Sequence, residues 1–100
     1  MVLSTLTVLA RVQALKGSEE LVRRECLALV TPSRRDEGCL EYELYQAADD
    51  PTVFIFIENW LSREHLEQHL NAPHCLAFDQ RTKGMLAGSE EITILNKISH

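Results

Sequence analysis

The chain lacks any cysteine pair at C-x-x-C spacing, and its three cysteines, Cys26, Cys39 and Cys75, are odd in number. Neither a disulfide framework nor a zinc knuckle is suggested. It also lacks a basic stripe with interleaved aromatics. Its tight basic groups, Arg23–Arg24 and Arg34–Arg35, stand beside Glu19, Glu20, Glu25, Asp36 and Glu37, and the net charge is −5. Such groups read as solvated helix faces, and a nucleic-acid partner is not expected. No apolar run reaches transmembrane length. In MVLSTLTVLARVQ the arginine follows the apolar residues instead of preceding them, so the segment reads as a strand and not a signal peptide. A cytoplasmic location with no membrane partner is the expectation. There is no GxSxG, P-loop or GxGxxG, so acyl transfer and nucleotide chemistry have no support.

What is present is ordinary in amount and informative in order. One hundred residues, 45% apolar and 25% charged, fit a single globular domain over 1–100. Leu3 to Ala14 places Leu6, Val8, Ala10 and Val12 on one face of a strand. Ser18 stands as an N-cap before Glu19 and Glu20, opening a helix patterned by Leu21, Val22, Glu25, Cys26, Leu29 and Val30; Pro32 should kink or end it, or the helical pattern resumes through Arg35. Cys39 to Gln46 alternates, with Leu40, Tyr42 and Leu44 sharing a face. After a turn at Ala48–Pro51, Thr52 to Trp60 returns, with Phe54, Phe56, Glu58 and Trp60 on one face and Val53, Ile55, Ile57 and Asn59 on the other.

Ser62 caps a second helix. Ala72–Pro73 interrupts it, a further helical stretch runs from about His74 to Leu86, and Glu91 to Ile98 forms a last strand. The order predicts an α+β, ferredoxin-like βαββαβ fold: a four-stranded antiparallel sheet with two helices on one face. The other face, with Val53, Ile55 and Ile57, would be bare in a monomer, which predicts a homodimer joined sheet to sheet.

Chemistry can concentrate where Glu58–Trp60 meets His65, His69 and His74. A helix packed over that strand face would bring His69 near Trp60 or Glu58, forming an apolar pocket with a few polar groups. A histidine beside a carboxylate can serve as a general base. Plainer readings stand beside this one: Trp60 and the phenylalanines as core, His65 as a solvated helix residue, Glu58 as a hydrogen-bonded wall. HLEQH departs from the zincin pattern HExxH and shows no third ligand, so no metal is expected.

The stretch EGCLEYELYQ…FIENWLSREHLEQHLNAPH resembles the antibiotic biosynthesis monooxygenase superfamily, in particular its quinol monooxygenase-like members. These are dimeric α+β barrels of ferredoxin-like protomers. The resemblance runs from LTVLARV to ITIL and is most specific at Glu37-Gly38-Cys39, at Glu58 and Trp60, and at His69 and His74 with Pro73 between. It implies oxidation of a small quinol-like or polycyclic aromatic by O2 with no cofactor. His69 or His74 would be the base, Trp60, Phe56 and Phe78 the stacking walls, and Tyr42 and Glu58 the groups that place the substrate. The chain departs from polyketide-oxidising members, which carry Asn where Phe56 stands; Asn59 lies on the opposite face. It departs from haem-degrading members too, since Val12 and Asp79 occupy the positions of their Asn and His. A branch that isomerises a small phosphorylated carbonyl compound shares the His69/His74 pattern, and a non-catalytic small-molecule-binding module is a further alternative.

Overall fold

The computed structural model describes residues 5–99, so the start of the first expected strand, at Leu3, lies outside them. The elements are β1 (Leu6–Gln13), α1 (Glu19–Arg34), β2 (Cys39–Gln46), β3 (Val53–Trp60), α2 (Arg63–Leu70), α3 (Pro73–Arg81) and β4 (Glu91–Leu95). The strands form one antiparallel sheet in the order β2-β3-β1-β4. This is the ferredoxin-like α+β arrangement that the element order predicts.

Period-two patterning sets the sheet's faces. Val8, Ala10 and Val12 of β1 stand opposite Glu58, Phe56 and Phe54 of β3, and all six are buried under the helices. Helix α1 contributes Val22, Cys26, Leu29 and Ser33, a stripe at helical spacing. Two expected element ends change, and one left open is decided. The helical stretch expected after Ala72–Pro73 is present as a third helix but ends at Arg81 and not at Leu86; Pro73 cannot continue α2 but is well suited to the first position of a new helix. Helix α1 runs through Pro32 to Arg34; so close to the helix end, the missing N–H removes only one bond from the ladder. Strand β4 stops at Leu95.

Two smaller corrections concern side chains. Ser18 is the N-cap residue, yet its hydroxyl makes no cap bond, and the Glu19 carboxylate instead accepts from the Gly17 N–H at 3.0 Å. Leu40 does not share the face of Tyr42 and Leu44. A register shift between Cys39 and Glu41 leaves it without a cross-strand partner, and it is 56% exposed. On the far face, Val53 is buried while Ile55 and Ile57 are half-buried. There Thr7 donates to Asn59, and Asn59 donates to Glu41, both at 2.6 Å. No described helix is long and apolar enough to cross a membrane.

Candidate active site

Strand β3 ends by placing Glu58 and Trp60 on the helix side. The Trp60 indole Nε1–H donates to Glu58 Oε1 at 2.8 Å, and both side chains are buried. Burial pushes the Glu58 carboxyl up to about 7; the Trp60 bond opposes that rise and the charge of Glu90 adds to it. Tyr42 lies beside this pair, its ring 5.4 Å from that of Phe56, and its phenol is pushed upward by burial and by Glu58.

The link between α1 and β2 supplies a group that the sequence reading passed over. Asp36 opens a turn closed by the Cys39 N–H on the Asp36 carbonyl at 3.1 Å. Gly38 takes φ +80°, a conformation glycine adopts without strain. The turn aims the Asp36 carboxylate at two helices at once. Its Oδ2 accepts from His69 Nδ1 of α2 at 2.7 Å and from His74 Nε2 of α3 at 2.8 Å. The chain bends between them at Asn71–Ala72, so histidines five positions apart face the same oxygen, their ring centroids 5.9 Å apart.

The two histidines differ in surroundings. His69 is 3% exposed. Its ring lies 4.5 Å from that of Trp60, tilted by 34°, and meets Tyr42 edge-on at 5.4 Å. Burial lowers its pKa, against the opposing pull of Asp36. With Nδ1–H assigned to Asp36, Nε2 is left facing the Cys75 sulfur at 3.5 Å. Burial, then Asp36, pushes that thiol up to about 12, so it stays protonated and can donate weakly to the ring. His69 thus has Nδ1 on Asp36 and the Cys75 sulfur against its ring. His74 uses Nε2 on Asp36 and keeps Nδ1 for another partner. It is half-buried and lines a groove of about 310 Å³ between α1 and α3, walled by Ala28, Leu29, Pro73, Ala77 and Phe78. Glu25 and Arg81 close the far end, 3.6 Å apart.

The fold thus gathers His69, His74, Trp60, Glu58 and Tyr42 into one cluster. Phe56 packs behind Tyr42 with its ring tilted by 48°, and Phe78 joins His74 in the groove. His65 is half-buried over Gly38, not solvated. A larger, shallower hollow of about 650 Å³ lies along β2, lined by Leu40, Glu41, Glu43 and Asn59 among others, and contains no histidine. Sequence reasoning missed Asp36 and Cys75. Asp36 sat within a charged run, although an Asp two residues before Gly is a turn signal; Cys75 offered no signal beyond its place next to His74.

His69, His74 and Cys75 each bring a donor atom within 4.8 Å of the others. Cys75 is the third donor that the HLEQH spacing did not show. Cys75 Sγ lies 3.8 and 3.5 Å from the two ring nitrogens of His69, nearly equidistant and so off either lone-pair axis. A tetrahedral ion would take the ring nitrogens that Asp36 does not hold and would require Cys75 to turn.

Comparison with known proteins gives a consistent picture. Residues 5–81 match the model of a family described as antibiotic biosynthesis monooxygenase. Rv0793 of Mycobacterium tuberculosis is 30% identical over 92 residues, covering 92% of this chain and 90% of that protein. A protein of Escherichia coli K12 named "Probable quinol monooxygenase YgiN" is 30% identical over 90 residues, covering 79% of this chain and 86% of its own. Among solved structures, PA3566 of Pseudomonas aeruginosa superposes with a TM-score of 0.91 at 36% identity, covering 99% of this chain and all of that one.

Proposed function

This chain belongs to the antibiotic biosynthesis monooxygenase family, and from that premise we propose that it oxidises a small quinol-like aromatic with O2, the substrate itself being the reductant. The observation that carries this reading is the Asp36 carboxylate shared by His69 and His74, with His74 opening onto an apolar groove. A one- or two-ring aromatic suits such a volume and such walls.

In the proposed reaction, Nδ1 of His74 accepts the proton of a substrate hydroxyl, and Asp36 stabilises the imidazolium that results. The electron-rich phenolate then reduces O2. One oxygen atom bonds to a ring carbon, that carbon loses its hydrogen, and the other oxygen leaves as water. A quinol plus O2 thus becomes a hydroxyquinone plus water, the substrate giving up four electrons. Phe78, with Leu29 and Ala77, would hold the ring in place and keep water out. Trp60, Phe56, Tyr42 and Glu58 would act from behind by fixing His69, because they are buried on the inner side of the cluster. The isomerase reading is less well served: Arg81 is the one cationic side chain lining the groove, and Glu25 offsets it.

Oxygen uptake with a panel of quinols tests the reading. The wild type should consume O2, and His74→Ala should lose about 100-fold in kcat/KM, the usual size of a general-base contribution. Equal rates for the two proteins would refute the role of His74. We further propose that a second copy covers the far sheet face around Leu9, Ile55 and Ile57, and that three free cysteines suit a reducing cytoplasm. Sedimentation at micromolar concentration should give twice the chain mass; a single chain mass would remove the dimer.

A further inference from the structure

We propose that His65 is a positioning residue that fixes the Asp36–Cys39 turn and, through it, the proton-accepting histidine. The inference rests on the role assigned above to Asp36 and His74. Besides the bonds of the Asp36 carboxylate and that of the Asp36 N–H to the Ser33 carbonyl, three contacts hold the turn. Its own closing bond runs from the Cys39 N–H to the Asp36 carbonyl. The Leu61 N–H, just past β3, donates to the Gly38 carbonyl at 2.8 Å. The third contact is the His65 ring, which lies flush against Gly38: a Cβ added there would overlap Cγ, Cδ2 and Cβ of His65. Glycine at this position therefore does two things. It permits φ +80°, and it lets an imidazole close over the backbone.

The ring is itself held in place. Ser62 Oγ lies 2.7 Å from His65 Nδ1 and also accepts the His65 backbone N–H at 3.3 Å as the cap of α2. A hydroxyl that accepts from the backbone still has its O–H to donate to Nδ1, so Ser62 anchors both the backbone and the ring of His65. One helical turn later on the same face, His69 binds Asp36. Helix α2 thus grips the turn at two points: His65 on its third residue and His69 on its first.

The leverage comes from a single oxygen. Asp36 Oδ2 holds both rings at 2.7 and 2.8 Å, so a displacement of the turn disturbs both bonds at once. His74 would then lose the partner that keeps its proton on Nε2 and its Nδ1 free. Residues four apart on α2 would share one task, with His65 touching neither substrate nor proton.

Long-range 1H–15N spectra of the imidazoles report tautomers directly and independently of turnover. In the wild type, His74 should show one protonated Nε2 and one unprotonated Nδ1. In His65→Ala the two nitrogens should move toward an averaged shift, with kcat falling about tenfold and KM unchanged. His65→Phe keeps a planar ring over Gly38 and should restore both the split shifts and most of kcat. A wild-type tautomer pattern in folded His65→Ala would overturn the proposal, as would an averaged pattern in folded His65→Phe. If the tautomers respond as expected but the wild type oxidises no quinol, positioning by His65 stands and the monooxygenase reading falls.

Discussion

Neighbouring residues of one strand, Glu58 and Asn59, occupy opposite worlds. Toward the helices, Glu58 is sealed with Trp60, and among the described residues its carboxyl bonds only to the indole N–H. Toward the far face, half-buried Asn59 sits in a short chain of hydrogen bonds between Thr7 and Glu41. On the dry side a carboxyl has few partners and its proton affinity rises. On the wetter side, polar groups trade one partner for another at little cost. The comparison shows why titration chemistry collects on the helix side although both faces carry carboxylates.

Replacing Trp60 with alanine should do most to break the contrast. It empties a fully buried indole site, leaves Glu58 without its donor and removes the ring stacked on His69. A loss of about 3–5 kcal/mol is expected in urea unfolding, the usual cost of such a truncation. A loss under about 1 kcal/mol would mean that the site collapses without penalty.

Glu58→Gln should sharpen it. The folded-state pKa of Glu58 stands above its ordinary carboxyl value of 4.5, so the folded protein holds this proton more tightly than the unfolded chain. The stability associated with Glu58 is present at low pH and is lost as pH rises from about 4.5 through about 7. A carboxyl raised from 4.5 to about 7 on folding corresponds to a loss on the order of 3 kcal/mol across that window. The glutamine variant keeps an acceptor oxygen for Trp60 and does not titrate. Its urea midpoint should therefore fall less than that of the wild type between pH 5 and pH 7.5. Equal slopes for the two proteins would remove Glu58 as the source.

The smallest effect is expected on the other side. Asn59→Ala breaks two part-exposed bonds and should cost about 1 kcal/mol. A loss of several kcal/mol that also depends on protein concentration would instead place Asn59 inside a subunit contact.

Much of this architecture could be read from residue order. Alternation in FIFIENW assigned Phe54, Phe56, Glu58 and Trp60 to the covered face, and all four are buried there. Ser62 was legible as a cap, and its hydroxyl accepts from the His65 N–H. Where the pattern misled, the reason is local. Leu40 fell out of phase because one extra residue in β2 reverses the parity on either side of it. His65 looked solvated because helical spacing says nothing of a glycine from another segment arriving beneath it. Asp36 looked like one more surface charge because a turn's aim depends on the two elements it joins.

The sequence by itself determined the element order, the faces of the strands and the break at Pro73, since each depends on side-chain period or backbone restriction within a few residues. Only the tertiary structure decided which polar groups meet. The contact of Asp36 with His69 spans 33 positions and that with His74 spans 38. The two histidines then part ways: one is closed in by Trp60 and Cys75, and the other opens onto a groove. That division rests on how three helices pack over one sheet, and burial, set by that packing, governs where a proton is held.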